Sequence, residues 1–171
     1  MRLFFALWPG AEQRQALAGL AQSLPLENAR LLAPANTHLT LAFLGEVNDE
    51  LYPRIAAAAE NIHCGPFSLY LDRLGWWQKP KIAWVGPSSY PKDLPQLAGE
   101  LHGLARNCGL RMDERPYRPH VTLARKVRAA YEEVEFTPIG WDLSEFCLVE
   151  STSTAGGVKY EVKLRWPLKI M

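Results

Sequence analysis

The chain has 171 residues and a formal net charge of +1 at pH 7, with 48% apolar and 22% charged residues. This length and composition are those of one globular domain, and the near-neutral charge excludes a basic, nucleic-acid-binding surface over the whole protein. Three cysteines without close spacing argue against a disulfide framework and favour a reducing compartment. The apolar run at residues 3–8 is too short for a signal peptide or a membrane span, so we expect a cytoplasmic protein.

Apolar periodicity along the chain predicts strands and helices in alternation, followed by strands alone. The first predicted helix covers residues 11–24. The second is capped by Asn48 or Asp49 and has Pro53 in its first turn, and the third follows Pro91. The predicted strands, besides the two described next, cover residues 2–7, 67–74, 81–85, 139–142, 144–151 and 159–166. A turn is expected at residues 75–80, and a hairpin at Gly156-Gly157. This order of elements predicts an α+β fold with a largely antiparallel sheet.

Two short segments, separated by nearly half the chain, repeat one pattern of residues. Residues 38–42 are His-Leu-Thr-Leu-Ala, and residues 120–124 are His-Val-Thr-Leu-Ala. Side chains two apart on a strand share a face, so each histidine shares a face with its threonine while the apolar residues face the core. We therefore expect two pseudo-symmetric lobes of mainly antiparallel sheet, with helices packed outside and a central cleft. Residues 1–171 would then form a single two-lobed domain.

Two histidines that face each other across a cleft are suited to in-line displacement at phosphorus. One imidazole accepts a proton from the attacking water and the other donates a proton to the leaving oxygen, because the pKa of histidine lies near neutrality. The hydroxyls of Thr40 and Thr122 are positioned to donate hydrogen bonds to the non-bridging phosphate oxygens. The pattern itself leaves open which of His38 and His120 is the acid. Neither motif has neighbouring Asp or Glu, so we expect no metal and no cofactor.

The second motif lies in a basic segment, which favours an anionic substrate. Residues 111–128 contain six Arg or Lys and two Asp or Glu, a local excess typical of contacts with a nucleotide or an RNA end. A solvated charged loop would have the same composition. Arg118 belongs to this segment. Arg125 lies on the strand face opposite His120, so it reaches the phosphate only if the strand ends or bulges there.

The aromatic residues give weaker indications. Tyr117 and Phe43 lie close to the motifs and are candidates for stacking on a base. Strand alternation places Phe43 in the core, so Tyr117, between two prolines, is the better candidate. We expect packing roles for three tryptophans near the turn at residues 75–80, namely Trp76, Trp77 and Trp84. His102 lies on a predicted helix and is expected to have no catalytic role.

With its duplicated His-x-Thr-x motif the chain resembles the two-histidine phosphoesterases, and more narrowly the RNA 2',3'-cyclic phosphodiesterases, historically called 2'-5' RNA ligases. The resemblance extends to Arg2–Leu7, Leu41–Glu46, Arg115–His120 and Arg125. It implies metal-independent opening of a terminal 2',3'-cyclic phosphate to a 2'-phosphomonoester, with reversible 2'-5' ligation in some members. It also implies roles for five side chains: proton donation to the leaving O3' by His38, proton acceptance from water by His120, and phosphate binding by Thr40, Thr122 and Arg125.

Two alternatives stay open beside this reading. The first is a non-catalytic module that binds RNA ends, and the second is a phosphodiesterase that acts on small cyclic phosphates of a nucleotide or ADP-ribose type. The expected partner in the main reading is an RNA 3' end, or a nucleotide, that carries a 2',3'-cyclic phosphate. We expect a monomer with no membrane association.

Overall fold

The computed structural model describes residues 1–171, and all three α-helices lie in the first two thirds of the chain. The helices are α1 (Ala11–Ser23), α2 (Tyr52–Ala59) and α3 (Asp93–Asn107), with a 3-10 turn at Pro34–Asn36. The strands are β1 (Arg2–Leu7), β2 (Arg30–Leu31), β3 (Leu39–Glu46), β4 (Phe67–Leu71), β5 (Arg73–Trp77), β6 (Ile82–Gly86), β7 (Val121–Arg125), β8 (Ile139–Leu143), β9 (Glu145–Thr154) and β10 (Gly157–Pro167). None of the helices has the length and apolar character that a membrane crossing needs.

One antiparallel sheet carries both histidine motifs at its centre. Its strand order is β10-β9-β1-β3-β7-β6-β5, with β2 paired to β7, while β4 and β8 form a separate pair. The two halves of the sheet meet where Leu39 of β3 pairs with Val121 of β7. Each of these residues directly follows a motif histidine, and the strands are antiparallel, so the junction relates the two copies by a local approximate twofold axis. The predicted α+β fold is confirmed.

Each half of the sheet ends with strands from the other half of the chain. Strand β5, which follows β4, pairs with β6, while β9, which follows β8, pairs with β1. Between these crossings β4 and β8 pair with each other. Neither half of the chain therefore contains a complete half-sheet, which supports our proposal that residues 1–171 act as one domain.

The helices cover only one face of the large sheet. A core of 38 buried residues joins Leu17 of α1, Ile55 of α2 and Leu97 of α3 to the side chains of that face. The opposite face has a cluster of only four buried residues, Phe4, Ala6, Cys147 and Val149. Since Thr40 pairs with Ala6, the motif side chains belong to this second, open face.

Most predicted elements occur within a few residues of their expected bounds. Pro53 lies in the first turn of α2, as predicted, but the cap residue is Leu51 and not Asn48 or Asp49. The side chain of Asn48 accepts a hydrogen bond from the backbone N–H of Leu51 (2.8 Å), in the turn that precedes the helix. The single strand predicted at residues 67–74 is divided between β4 and β5, because the chain changes sheets at Asp72, whose carboxylate accepts hydrogen bonds from Ser88. The turn expected at residues 75–80 begins later, because β5 continues to Trp77 in its pairing with β6.

The pairing of β5 with β6 places a tryptophan ring on a glycine. Gly75 pairs with Trp84, and a Cβ added to Gly75 would lie 2.1 Å from Cζ2 of the Trp84 ring. A side chain at this position therefore requires the indole to move. Because β6 also pairs with β7, such a movement would be felt at the second motif.

We predict that Gly75→Ala lowers the free energy of unfolding by about 1–3 kcal/mol, because the new methyl group overpacks the Trp84 ring. Urea denaturation measures this change. Gly99→Ala is the matched control, since Gly99 lies in α3 with no atom within 4 Å of an added Cβ. Removing a glycine from a helix should raise stability by about 0.5–1 kcal/mol. Equal effects of the two substitutions would contradict the prediction.

Candidate active site

The first motif histidine is held by its own local backbone. The Nδ1 atom of His38 lies 2.7 Å from the carbonyl oxygen of Asn36, and its Nε2 lies 3.1 Å from Oγ1 of Thr40. Since a carbonyl only accepts hydrogen bonds, Nδ1 carries a proton and donates it to Asn36. In the neutral ring, the lone pair of Nε2 then accepts a hydrogen bond from the Thr40 hydroxyl.

The second motif repeats this arrangement. The Nδ1 atom of His120 lies 2.9 Å from the carbonyl oxygen of Arg118, again two residues before the histidine. Its Nε2 makes no hydrogen bond within the protein. Both histidines are half-buried and lie one residue before a strand, at the start of β3 and β7. The same tautomer is therefore selected twice, with each Nε2 available for proton transfer.

Aromatic rings surround His38 on the open face. Trp8 stacks on the imidazole with ring centroids 5.7 Å apart and planes 15° apart. Phe4 lies 4.8 Å away, and the ring of Tyr160 meets the imidazole edge-on at 5.1 Å. Sequence reasoning missed Trp8 and Tyr160. The alternation of Phe4 and Ala6 along β1, continued one residue past its end at Trp8, was the signal for Trp8. Nothing local pointed to Tyr160 on β10.

His120 also lies against aromatic rings, which come from β5 and β6. The ring of Trp77 lies 4.6 Å from the imidazole and that of Trp84 lies 6.4 Å away, both close to perpendicular. The guanidinium of Arg118 covers the Trp77 ring at 4.9 Å. Sequence reasoning gave these tryptophans packing roles only. Their place beside His120 depends on the pairing of β5, β6 and β7, which has no local sequence signal.

Matching bulges alter the alternation in both motif strands. In β3 the register skips Leu41, and in β7 it skips Leu123, the equivalent position in the second motif. Two consecutive residues are therefore buried in each strand, and the next side chain turns to the open face. That next residue is Phe43 in β3 and Arg125 in β7. The placement of Phe43 in the core was wrong, since it is 47% exposed, and the bulge that Arg125 requires is present.

Arg125 connects the two halves of the site. Its Nη2 donates a hydrogen bond to the hydroxyl of Tyr160 (3.3 Å), whose ring contacts His38. A cation from the second motif strand thus lies close to the histidine of the first motif. Of the other basic residues, Arg115 forms an ion pair with Asp113, while Arg118 has no acidic partner.

Tyr117 fixes the approach to the second motif. Its hydroxyl donates a hydrogen bond to the carbonyl oxygen of Thr40 (2.9 Å), and burial raises the pKa of the phenol. This contact ties the loop before His120 to the first motif strand. Base stacking by Tyr117 stays a prediction. His102 lies on α3, where its Nδ1 donates to the carbonyl oxygen of Ala98, outside this group of residues.

Burial and neighbouring cations favour neutral histidines. Burial is the largest cause that lowers the pKa of His38 to about 4; the Asn36 carbonyl opposes it, and the charges of His120, Arg125 and Arg14 lower it further. The pKa of His120 is lowered as well, mainly by burial; the Arg118 carbonyl opposes this effect, and the Arg118 charge lowers the pKa further. The effect of His120 on His38 means that the two motifs share one electrostatic environment. No group of three or more His, Cys, Asp or Glu side chains is arranged to hold a metal ion.

Comparison with known proteins agrees with this duplicated site. The family model described as LigT like Phosphoesterase matches the chain twice, at residues 7–84 and 85–160, with one motif in each match. An RNA 2',3'-cyclic phosphodiesterase of Escherichia coli K12 is 38% identical over 98% of this chain and 96% of its own. One from Methanocaldococcus jannaschii is 26% identical over 97% of this chain and 100% of its own.

The fold comparison leads to the same family. The crystal structure of E. coli LigT complexed with 3'-AMP matches this structure with a TM-score of 0.87 and 37% identity, over 98% of this chain and 97% of that chain. The crystal structure of TT0787 of Thermus thermophilus matches with a TM-score of 0.82 and 26% identity, over 99% of both chains. The double family match, the near full-length identity and the common fold show that this chain belongs to the LigT-like phosphoesterase family.

Proposed function

We propose that this protein is an RNA 2',3'-cyclic phosphodiesterase, a hydrolase that opens a terminal cyclic phosphate to a 2'-phosphomonoester without a metal ion. The observation that supports the proposal is the pairing of Leu39 with Val121, each of which directly follows a histidine whose Nδ1 donates to the carbonyl two residues earlier. The E. coli relative, which matches nearly the whole chain, has the same activity in its name.

In the proposed mechanism the two histidines act on opposite sides of the phosphorus. His120 accepts a proton at Nε2 from the attacking water, and His38 donates a proton to the leaving O3'. The family likeness supports this assignment of acid and base. Once His38 is protonated, its Nε2 no longer accepts a hydrogen bond from the Thr40 hydroxyl, so Thr40 and Thr122 both donate hydrogen bonds to the non-bridging oxygens. The charge of Arg125 balances the negative charge that these oxygens carry.

The lowered pKa of His38 suits an acid that is charged only when substrate is present. At pH 7 the free protein holds a neutral ring, because that pKa is about 4. A phosphate anion beside the ring favours the imidazolium, since an opposite charge nearby stabilises the charged form. Substrate binding would therefore recruit the proton that the leaving oxygen requires.

The same site can accept an alcohol in place of water. A 5'-hydroxyl that attacks the cyclic phosphate would give a 2'-5' phosphodiester, and we include this reversible ligation in the proposal. The cytoplasm is the proposed location, because all three cysteines are free thiols, which a reducing compartment maintains.

We predict that His38→Ala and His120→Ala each lower kcat by about 10²–10⁴-fold on an RNA that ends in a cyclic phosphate, because each removes one proton-transfer group. The wild-type rate should show a bell-shaped pH dependence and should not change in EDTA. His63→Ala, which alters an exposed histidine away from the motifs, is the control and should retain full activity. Full activity in either motif variant would refute the paired mechanism.

We also predict that sulfate binds more tightly as the pH falls from 8 to 5. Sulfate keeps its charge over this range, and it binds the form with protonated His38 better, so binding raises the low pKa of His38 and takes up a proton. Titration calorimetry at several pH values measures the affinity. The pH dependence should become weaker in His38→Ala, and an affinity that rises with pH in the wild type would contradict the prediction.

A substrate comparison separates RNA from small cyclic phosphates. We predict a kcat/KM at least tenfold higher for a short RNA than for a nucleoside 2',3'-cyclic phosphate, because exposed Phe43, covered at 4.8 Å by Arg2, offers a stacking surface beyond the phosphate. Phe43→Ala should reduce this ratio. Tyr70→Ala, at an exposed aromatic of the separate β4–β8 pair, is the control. Faster turnover of the mononucleotide or of an ADP-ribose cyclic phosphate would favour the small-molecule alternative.

A further inference from the structure

The two histidines have similar but unequal surroundings. Each imidazole lies against a tryptophan that an arginine covers: Trp8 with Arg14 beside His38, and Trp77 with Arg118 beside His120. The guanidinium distances to the rings are nearly equal, 4.8 Å and 4.9 Å. Each side of the site therefore has one aromatic and cationic pair, although Trp8 follows β1, the neighbour of β3, and Trp77 lies on β5, two strands from β7.

Only one of the two arginine side chains, that of Arg14, makes hydrogen bonds within the protein. Nη1 of Arg14 donates hydrogen bonds to the carbonyl oxygens of Pro34 and Thr37 and to the Thr37 hydroxyl. These bonds hold the backbone that precedes His38, so the first pair is a support for the histidine. The guanidinium of Arg118, in contrast, is exposed and makes no hydrogen bond or ion pair within the protein. The second pair is thus free to contact a ligand.

In-line displacement places Trp77 and Arg118 on the side from which the nucleophile approaches the phosphorus. The nucleoside that carries the cyclic phosphate is attached through O2' and O3', so it lies on the leaving-group side, which the proposed mechanism assigns to His38. The nucleophile approaches from the side of His120. Water needs no aromatic surface or cation there, but an alcohol that belongs to a nucleoside brings a base and a sugar to that side.

We infer that Trp77 and Arg118 form a binding site for the nucleoside whose 5'-hydroxyl attacks the cyclic phosphate, and that this site sets the balance between ligation and hydrolysis. The inference rests on the proposed function. The outer face of the Arg118 guanidinium, which the Trp77 ring supports from beneath, is a plane on which an unstacked base can stack. The carbonyl of Arg118 also orients His120, so the same residue contacts the base and places the proton acceptor.

The tryptophan surface is rigid, as a binding site requires. The Trp77 ring packs on the Trp84 ring, with centroids 5.0 Å apart. Trp84 in turn lies on Gly75, and a Cβ at Gly86 would come within 2.8 Å of the Pro119 carbonyl oxygen. The two glycines let the indole and the chain before His120 approach the sheet closely, which fixes Trp77 relative to the histidine.

The transfer step balances without an added reactant. His120 Nε2 takes the proton of the 5'-hydroxyl while O5' forms a bond to phosphorus. The bond from phosphorus to O3' breaks, and O3' takes a proton from His38. The product is a 2'-5' phosphodiester with a free 3'-hydroxyl, and the protons held by the two histidines are exchanged relative to the start.

A competition between nucleophiles tests the site. Uridine 2',3'-cyclic phosphate is incubated with the protein, methanol and 2',3'-dideoxyadenosine, whose 5'-hydroxyl is its only alcohol. Chromatography gives the ratio of the nucleoside adduct to the methyl ester, which is independent of overall turnover. We expect Trp77→Leu to lower this ratio about tenfold, the effect of one lost base-stacking contact, because Arg118 loses the ring that supports its guanidinium plane. Arg118→Gln, at an exposed position, should lower it in the same direction and serves as a second variant if Trp77→Leu folds poorly.

Trp8→Leu is the matched control. It alters the tryptophan beside His38, on the leaving-group side that all nucleophiles share, so the ratio should stay within about twofold of wild type. The inference is overturned if the wild type forms no nucleoside adduct, if Trp77→Leu and Arg118→Gln leave the ratio unchanged, or if Trp8→Leu lowers it equally. If the cyclic phosphate is consumed but the two variants leave the ratio unchanged, the nucleoside site is refuted and the proposed function is not. A wild type that consumes neither this compound nor an RNA that ends in a cyclic phosphate overturns the proposed function as well.

Discussion

The site depends on the pairing of Leu39 with Val121, where the two central strands of the sheet meet. This contact is made by apolar residues, both fully buried, at the same position of each motif. Because side chains alternate along a strand, burying these two residues directs the motif threonines to the opposite face. The geometry of the polar site is therefore a consequence of how the core is packed beneath it.

Local backbone contacts then give each histidine its chemical form. In both motifs the carbonyl oxygen two residues earlier accepts the Nδ1 proton, so the tautomer follows from the path of the chain before the strand. Partial burial among aromatic rings keeps both pKa values low, and the surrounding arginines act in the same direction. Such a cationic and partly dehydrated site is suited to an anion, whose charge relieves the cost of protonating an imidazole.

The symmetry of the frame supports a reaction whose two sides differ. The bulges at Leu41 and Leu123 turn the side chain two residues further on to the open face in each strand. That residue is Phe43 in one strand and Arg125 in the other. The arginines that cover the tryptophans differ in the same manner, since one is tied to the backbone and the other is free. Duplication supplies two proton-transfer groups, and the differences around them distinguish leaving group from nucleophile.

The amino-acid sequence by itself determined the α+β class, most element positions and the repeated histidine and threonine pairs, because these depend on local periodicity and on a motif of five residues. It also showed that Arg125 needs a bulge to reach the site. Only the tertiary structure decided that both strands bulge, that Phe43 is exposed, and that Trp77, Trp84 and Tyr160 surround the histidines. Those features arise from register and from the exchange of strands between the halves. Strand pairing joins residues far apart in the chain, and periodicity within a segment carries no information about its partner.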